Sequence, residues 1–269
     1  MARSLPLLGM GTWGMGGTYE RDERNADESV ALLSYGFDVG LKLVDVAELY
    51  GAGLTEELVG QAMRGRVRED IFVISKVWKD HMQFDAVLRA AEGSLARLGT
   101  SYIDLYLIHW PNETVPLSET MRALEALVER KLVRAIGVSN FAVPLLVEAQ
   151  QCLKNTALSA NQIEYNLVAR EAEKEVIPFC QAHAIQVIAY RPFAKGALLQ
   201  NHDHMLTRLA EKYKKTPAQI ALNWIMEKGI TAIPKAGSKE HLDENKGALG
   251  WSMSPEDRTS LDASPFSRL

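Results

Sequence analysis

The feature that most constrains this chain is a recurrence. Short β-rich apolar runs alternate with longer amphipathic segments from one end to the other, with no break in composition. The runs are Leu7 to Thr12, LKLVDV (41–46), IFVISKV (71–77), DLYLIH (104–109), VRAIGVS (133–139), ANQIEY (160–165), IQVIAY (185–190) and ITAIPK (230–235), eight in all. They are continuously apolar rather than strictly alternating, which is the pattern of parallel strands covered by helices on their outer face. Between them, apolar residues recur at helical spacing, as in Phe84, Val87, Leu88, Ala91, Leu95 and Leu98, or Met121, Leu124, Leu127 and Val128. Two helix starts are marked chemically. Thr216-Pro217-Ala218-Gln219 offers a capping hydroxyl, a proline at the first helical position and a glutamine at the third, and Ser254-Pro255-Glu256-Asp257 repeats the logic. Eight strand–helix units in 269 residues predict the α/β class and a closed (β/α)8 (TIM) barrel as a single domain over 1–269. Two extra helices are expected near the carboxyl end, over about 238–265.

Another pattern competes for attention. GMGTWG, starting at Gly9, satisfies G-x-G-x-x-G, the spacing that holds a dinucleotide in a doubly wound sheet. Such a fingerprint needs a full strand before it and a helix opening inside it. Only Ser4 to Leu8 precede Gly9, and the polar stretch MGGTYERDERNAD follows; the first helical pattern begins near Asp27, with Val30, Leu33 and Phe37 on one face. The glycines at 9, 11 and 14 therefore read as a strand end leading into a loop.

Composition excludes several classes. With 47% hydrophobic and 24% charged residues the chain reads as an ordinary globule, and a net charge of -4 gives no reason to expect nucleic acid or an anionic membrane as partner. MARSLPLL is too short an apolar stretch for a signal peptide, and no run approaches the roughly 18 apolar residues of a spanning helix. A cytoplasmic location is expected, with the two cysteines, Cys152 and Cys180, as reduced thiols on helices.

In a barrel of this kind reactive groups stand at the carboxyl ends of the strands. The second strand candidate carries Asp45, the third Lys76 and the fourth His109, and Tyr50 lies in the loop above Asp45. Each has a plain structural alternative: Asp45 as a helix cap, Lys76 as a solvated strand end, His109 as a hydrogen-bonded structural histidine. Three such accidents on one rim are harder to sustain together. The segment RPFAKGALLQNHDH (191–204) is the best candidate for a functional loop. Within it, His202-Asp203-His204 is half a metal site with no third ligand at helical spacing, so no metal is expected.

These residues carry a resemblance. VDVAELYG, SKVW, LIHWP, GVSNF, NQIEYN, VIAYRPFAKG and IPKAGSKEHLDEN resemble, in order and along nearly the whole chain, the motif series of the aldo-keto reductases. The resemblance implies a barrel that binds NADPH in extended form without a Rossmann fold and transfers hydride to the carbonyl carbon of aldehydes or ketones, with alcohol oxidation as the reverse. It places the family's catalytic tetrad on Asp45, Tyr50, Lys76 and His109. Negative charge growing on the carbonyl oxygen must be met by a proton or by oriented donors. Tyr50 would give the proton, a neighbouring Lys76 ammonium held by Asp45 would bring the phenol's pKa down toward the working range, and His109 would hydrogen-bond the same oxygen.

The same resemblance implies that Ser139, Asn140 and Gln162 hold the nicotinamide carboxamide and that Tyr190 stacks under the ring. Arg191, which follows Tyr190, stands where the family usually has a serine. Lys235, Ser238, His241, Glu244 and Asn245 would serve the adenosine end, helped by free amides of the helix starting near Ser238. Ala236 and His241 depart from the family's serine and arginine, and histidine lacks the guanidinium's fork, so NADH stays as an alternative to NADPH. Trp13, Trp78 and Trp110 match substrate-pocket positions and imply an open aromatic mouth for a small carbonyl substrate, whereas Trp224 and Trp251 are assigned to packing. A monomer or weak oligomer is expected. Two other readings stay open: Lys76 as the Schiff-base lysine of an aldolase, and a cofactor-binding subunit with negligible turnover.

Overall fold

Whether a strand residue points into a barrel or out toward its helices alternates along the chain, so a closed sheet sorts each strand into an inner and an outer set. The computed structural model shows this sorting directly; it describes residues 5–200, 204–264 and 266. The strands are β1 (Met10–Gly11), β2 (Leu43–Asp45), β3 (Phe72–Val77), β4 (Ile103–Ile108), β5 (Val133–Ser139), β6 (Leu158–Glu164), β7 (Gln186–Tyr190) and β8 (Thr231–Ala232). They form one eight-stranded parallel sheet in sequence order. The sheet closes on itself: Leu8 bridges Ala232, Gly11 bridges Lys235, and the Gly9 and Gly11 amides donate to the carbonyls of Ala232 and Pro234, both at 2.9 Å.

All eight expected runs are strands. The first and last are shorter than the runs suggest, two residues each, and contact one another through single bridges. Proline is one reason, since Pro234 has no N–H to add to the ladder. Close approach is another: a Cβ added at Gly11 would lie 2.7 Å from the Ile233 carbonyl oxygen, so only glycine lets the seam shut there.

The helices are α1 (Ala26–Asp38), α2 (Leu54–Met63), α3 (Phe84–Leu98), α4 (Leu117–Glu129), α5 (Val143–Cys152), α6 (Val176–Ala182), α7 (Ala197–Gln200), α8 (His204–Tyr213), α9 (Pro217–Met226), α10 (Lys239–Lys246) and α11 (Pro255–Ala263). In α3 the expected stripe is the buried face, with Val87, Leu88, Ala91, Leu95 and Leu98 inside, and Gly99 ends the helix in a left-handed cap. Thr216 and Gln219 make the reciprocal capping box of α9, while Ser254 accepts from the Asp257 amide at the start of α11. Cys152 and Cys180 are free thiols on α5 and α6. Trp224 is buried and stacked on Tyr165, and Trp251 packs on Tyr213, as their assignment to packing requires. Within the stretch from 191, the candidate functional loop, Ala194–Gly196 forms a 3-10 turn and α7 follows it; positions 201–203 lie outside the described residues. No helix among the described residues is long and apolar enough to cross a membrane.

Inside the barrel, Leu43, Phe72, Ile74, Leu105, Leu107, Ala160, Ile188 and Ile233 form one buried cluster, distinct from the larger core between sheet and helices. These are the inward rows, and each row continues upward two residues at a time. Above Leu43 comes Asp45, above Ile74 comes Lys76, above Leu107 comes His109, above Ala160 comes Gln162, and above Ile188 comes Tyr190. The floor is apolar and its carboxyl-end rim is polar. Leu107→Ala, which opens a cavity in that floor, is expected to lower unfolding stability by about 2–5 kcal/mol, measured by urea denaturation.

Candidate active site

Lys76 is completely buried, so its ammonium must find partners inside the protein. It donates to Asp45 Oδ2 at 2.8 Å, to the Val46 carbonyl at 2.9 Å and to the Tyr50 hydroxyl oxygen at 3.3 Å. The other Asp45 oxygen accepts from Gln162 Nε2 at 2.7 Å, and the Asp45 backbone carbonyl accepts from Thr12 Oγ1 at 2.7 Å. Because lysine only donates here, Tyr50 uses its oxygen as acceptor and keeps its own hydrogen for another partner.

Tyr50 is set by the turn that follows it. Gly51 has a left-handed φ of 55°, its amide donates to the Thr18 carbonyl at 2.8 Å, and a Cβ there would stand 2.2 Å from the Gly16 carbonyl oxygen. The loop after β1 and the turn before α2 thus lock against each other next to Tyr50. The rings around it meet edge to face: Trp13 at 4.9 Å from Tyr50, His109 at 5.5 Å from Tyr50, and Trp78 at 5.2 Å from His109. Tyr19 extends this aromatic chain from Trp13 at 5.3 Å. Trp110 follows His109 at the rim and is exposed.

Burial dominates the electrostatics. It lowers the His109 pKa to about 2, with the nearby Lys76 charge as the second cause, so the imidazole is neutral. Burial also lowers the Lys76 pKa from its ordinary value, opposed by Asp45. The Tyr50 phenol is pushed well above its usual 10, first by burial and then by the Asp45 charge, with Arg191 acting in the opposite sense. This corrects the sequence-based expectation that Lys76 draws the phenol toward neutrality. Within the protein alone the desolvation of a buried phenolate, reinforced by Asp45, favours the protonated form of Tyr50. His109 Nδ1 is buried and has no hydrogen-bond partner among the described residues.

A second arc of polar groups adjoins the first. Ser139 Oγ donates to the Gln162 carbonyl at 2.9 Å; Asn140 Nδ2 donates to Ser139 Oγ at 2.9 Å and to the His109 carbonyl at 3.2 Å; the Tyr190 hydroxyl donates to Asn140 Oδ1 at 2.9 Å. Asn140 and Arg191, the first residues after β5 and β7, are non-glycine residues with left-handed φ values of 63° and 52°. Both turns are clamped, Asn140 by the contacts just given and Arg191 by Asn166 Nδ2, which donates to its carbonyl at 3.0 Å. The Arg191 side chain pairs with Glu164 at 3.1 Å.

A cleft of about 440 Å³ lies between the loop after β1, including Gly14 to Gly17, and the segment Lys235 to Lys239 that opens α10. Lys235 and Ser238 line it. His241, Glu244 and Asn245 stand on α10 outside that lining; the His241 amide is taken by Ser238 Oγ at 3.3 Å, and Asn245 is buried. A nicotinamide needs a flat platform beside amide groups, and an adenosine phosphate needs cations and free amides. The partly buried Tyr190 ring beside Asn140 and Gln162 meets the first need, and the cleft with Lys235 and the start of α10 meets the second, so these residues fit NADPH. The Gln162–Asp45 bond, Thr12 and Tyr19 were not singled out in the sequence. Thr12 carried a weak signal, as a polar residue ending an apolar run.

An eight-stranded parallel barrel with a buried ammonium, a carboxylate, a phenol and a neutral imidazole at its carboxyl-end mouth defines an oxidoreductase-type barrel rather than an imine-forming one, since Lys76 is covered by Tyr50 and tied to Asp45. The chain belongs to the aldo/keto reductase family, whose sequence model matches residues 7–264. It is thus an oxidoreductase of the class that reduces aldehydes and ketones. It is 35% identical to the methylglyoxal reductase YeaE of Escherichia coli over 96% of this chain and 90% of that protein. It is also 35% identical to the glyoxal reductase of Bacillus subtilis, over 96% and 88%. Among solved structures it resembles the thermostable aldo-keto reductase Tm1743, in complex with epalrestat, with a TM-score of 0.93 and 41% identity over 96% of this chain and 95% of that one. The Klebsiella pneumoniae aldo/keto reductase in complex with NADP and acetate gives 0.86 and 39%, over 96% and 90%.

A histidine whose pKa falls on folding binds fewer protons in the native than in the unfolded state. Its contribution to stability is present above the ordinary value of 6.5 and is lost as pH falls below it. The His109 ring is therefore expected to show no titration by NMR between about pH 5 and 8, where an unperturbed imidazole would titrate.

Proposed function

We propose that this chain reduces small carbonyl compounds, 2-oxoaldehydes such as methylglyoxal and glyoxal among them, with Tyr50 as proton donor. The observation that carries the reading is the buried Lys76 ammonium bonded at once to Asp45 and to the Tyr50 hydroxyl oxygen, beside a neutral His109. NADPH held by these residues would supply the hydride for the carbonyl carbon. As the C=O π bond breaks toward oxygen, the Tyr50 O–H meets the growing charge and gives its proton, leaving a phenolate that the Lys76 ammonium stabilises across 3.3 Å. Asp45 keeps Lys76 in place, and Gln162 keeps Asp45 in place. His109, with its pKa lowered to about 2, adds a neutral hydrogen bond to the same oxygen and so orients the substrate without competing as an acid.

Cofactor roles follow from position. Tyr190 forms the platform for the nicotinamide, while Asn140, Ser139 and the remaining amide groups of Gln162 face its carboxamide. Lys235 and Ser238 take the adenosine end in the cleft, with His241, Glu244 and Asn245 supporting it from α10. Trp13, Trp78 and Trp110 shape the mouth, where a short dicarbonyl fits between aromatic edges. The near relatives that carry methylglyoxal and glyoxal reductase activity in their names support that substrate class.

Initial rates on methylglyoxal, glyoxal and an aromatic aldehyde, with NADPH and NADH side by side, test the reading. Turnover of the dicarbonyls with NADPH is expected; activity on none of the panel would leave only a cofactor-binding protein. Tyr50→Phe is expected to cut kcat by about 10²–10⁴-fold. NADPH affinity of that variant, measured by fluorescence quenching, should stay within about twofold of wild type. A variant with wild-type turnover would remove Tyr50 from the role of acid.

A further inference from the structure

The tetrad leaves one acidic side chain of the Tyr50 loop without a task. Glu48 lies between Asp45 and Tyr50, largely buried, and one of its oxygens accepts from the Trp78 backbone amide at 2.6 Å. His81 Nδ1 stands 3.0 Å from the same oxygen. The reason for this contact lies in the ladder. β2 ends at Asp45, the Val46 amide still donates to the Ile74 carbonyl at 2.9 Å, and the next amide facing β3, that of Glu48 itself, lies a long 3.4 Å from the Lys76 carbonyl. β3 runs on to Val77, so the Trp78 N–H has lost the strand that would have accepted from it. A carboxylate takes the place of the missing carbonyl, and a charged acceptor makes the stronger bond.

We infer that Glu48 is a positioning residue that fixes the Trp78 wall of the substrate mouth. Trp78 is the ring that meets His109 edge to face at 5.2 Å, so the angle of its backbone sets how closely that wall approaches the imidazole. The far side of the same loop is held from the segment after β4, where Asn112 Nδ2 donates to the Lys79 carbonyl at 2.6 Å, and from α4, where Thr120 Oγ1 donates to the Met82 carbonyl at 2.7 Å. Glu48 is the latch on the near side. It acts through Trp78 and touches neither substrate nor cofactor, so its loss is felt in substrate capture more than in the chemical step. The inference rests on the carbonyl-reduction reading for its kinetic arm only.

Two near-isosteric variants test it while sparing the fold. Glu48→Gln keeps an acceptor oxygen at the same reach, whereas Glu48→Asp keeps the charge and withdraws it by one methylene. Glu48→Asp is expected to raise KM for methylglyoxal about tenfold with kcat changed less than about threefold, because an unsatisfied amide loosens the wall. Glu48→Gln should stay within about threefold of wild-type KM. In a Trp78→Ala background the further effect of Glu48→Asp should shrink below about twofold, since the two act in series. Hydrogen exchange of the Trp78 amide, which needs no turnover, should accelerate at least about tenfold in Glu48→Asp and not in Glu48→Gln. The proposal is overturned if the amide exchanges alike in wild type and Glu48→Asp, if Glu48→Gln is as impaired as Glu48→Asp, or if the KM effect persists in full without the Trp78 ring. Wild-type enzyme inactive on the whole panel, with exchange behaving as expected, would instead sink the carbonyl-reduction reading and leave the latch intact.

Discussion

A lysine ammonium with no exposure to water holds the mouth of this barrel together. Its desolvation is tolerable only because Asp45 lies 2.8 Å away and because Asp45 is itself ringed by Gln162 and Thr12. The pair joins β2 to β3, and the glutamine reaches it across the barrel from β6, so one ionic contact registers three strands. Removing either charged partner would strand the other in an apolar interior, which costs about 3–5 kcal/mol in comparable settings. Folding and chemistry are therefore coupled at this point, and changes to Asp45 or Lys76 mix the two, whereas a change at the Tyr50 hydroxyl separates them.

The same inward rows that build the apolar floor end in the polar rim. Leu43 and Asp45, Ile74 and Lys76, Leu107 and His109 are successive members of single rows, and their separation into oil below and ions above follows from strand geometry alone. Burial then sets the charge states. The imidazole is driven neutral and the phenol is kept protonated by one leading cause, loss of water, with the charges of Lys76 and Asp45 as the second causes.

Much of this was legible in the sequence, and the reason is geometric. A parallel barrel writes each strand as an apolar run and places its reactive groups where the run stops, so Asp45, Lys76 and His109 could be found from chain order, and the helix caps at Thr216 and Ser254 from local chemistry. What could not be read was anything depending on distances across the barrel. The Gln162–Asp45 bond spans 117 positions, and the Glu48 contact with Trp78 depends on β2 stopping short of β3. The direction of the Tyr50 shift was missed for the same reason: sequence shows a lysine nearby but not how thoroughly water is shut out. The adenosine end was legible only in part, since the motif brings five residues together in sequence while just Lys235 and Ser238 reach the cleft lining.

The two clamped left-handed turns at Asn140 and Arg191 have a thermodynamic corollary. Each holds a non-glycine backbone in a left-handed conformation that a free chain visits rarely, so the shape of the platform proposed for the nicotinamide is set as the barrel folds. The dinucleotide then meets a surface that has little ordering left to do, and its association carries correspondingly little entropic penalty at that end.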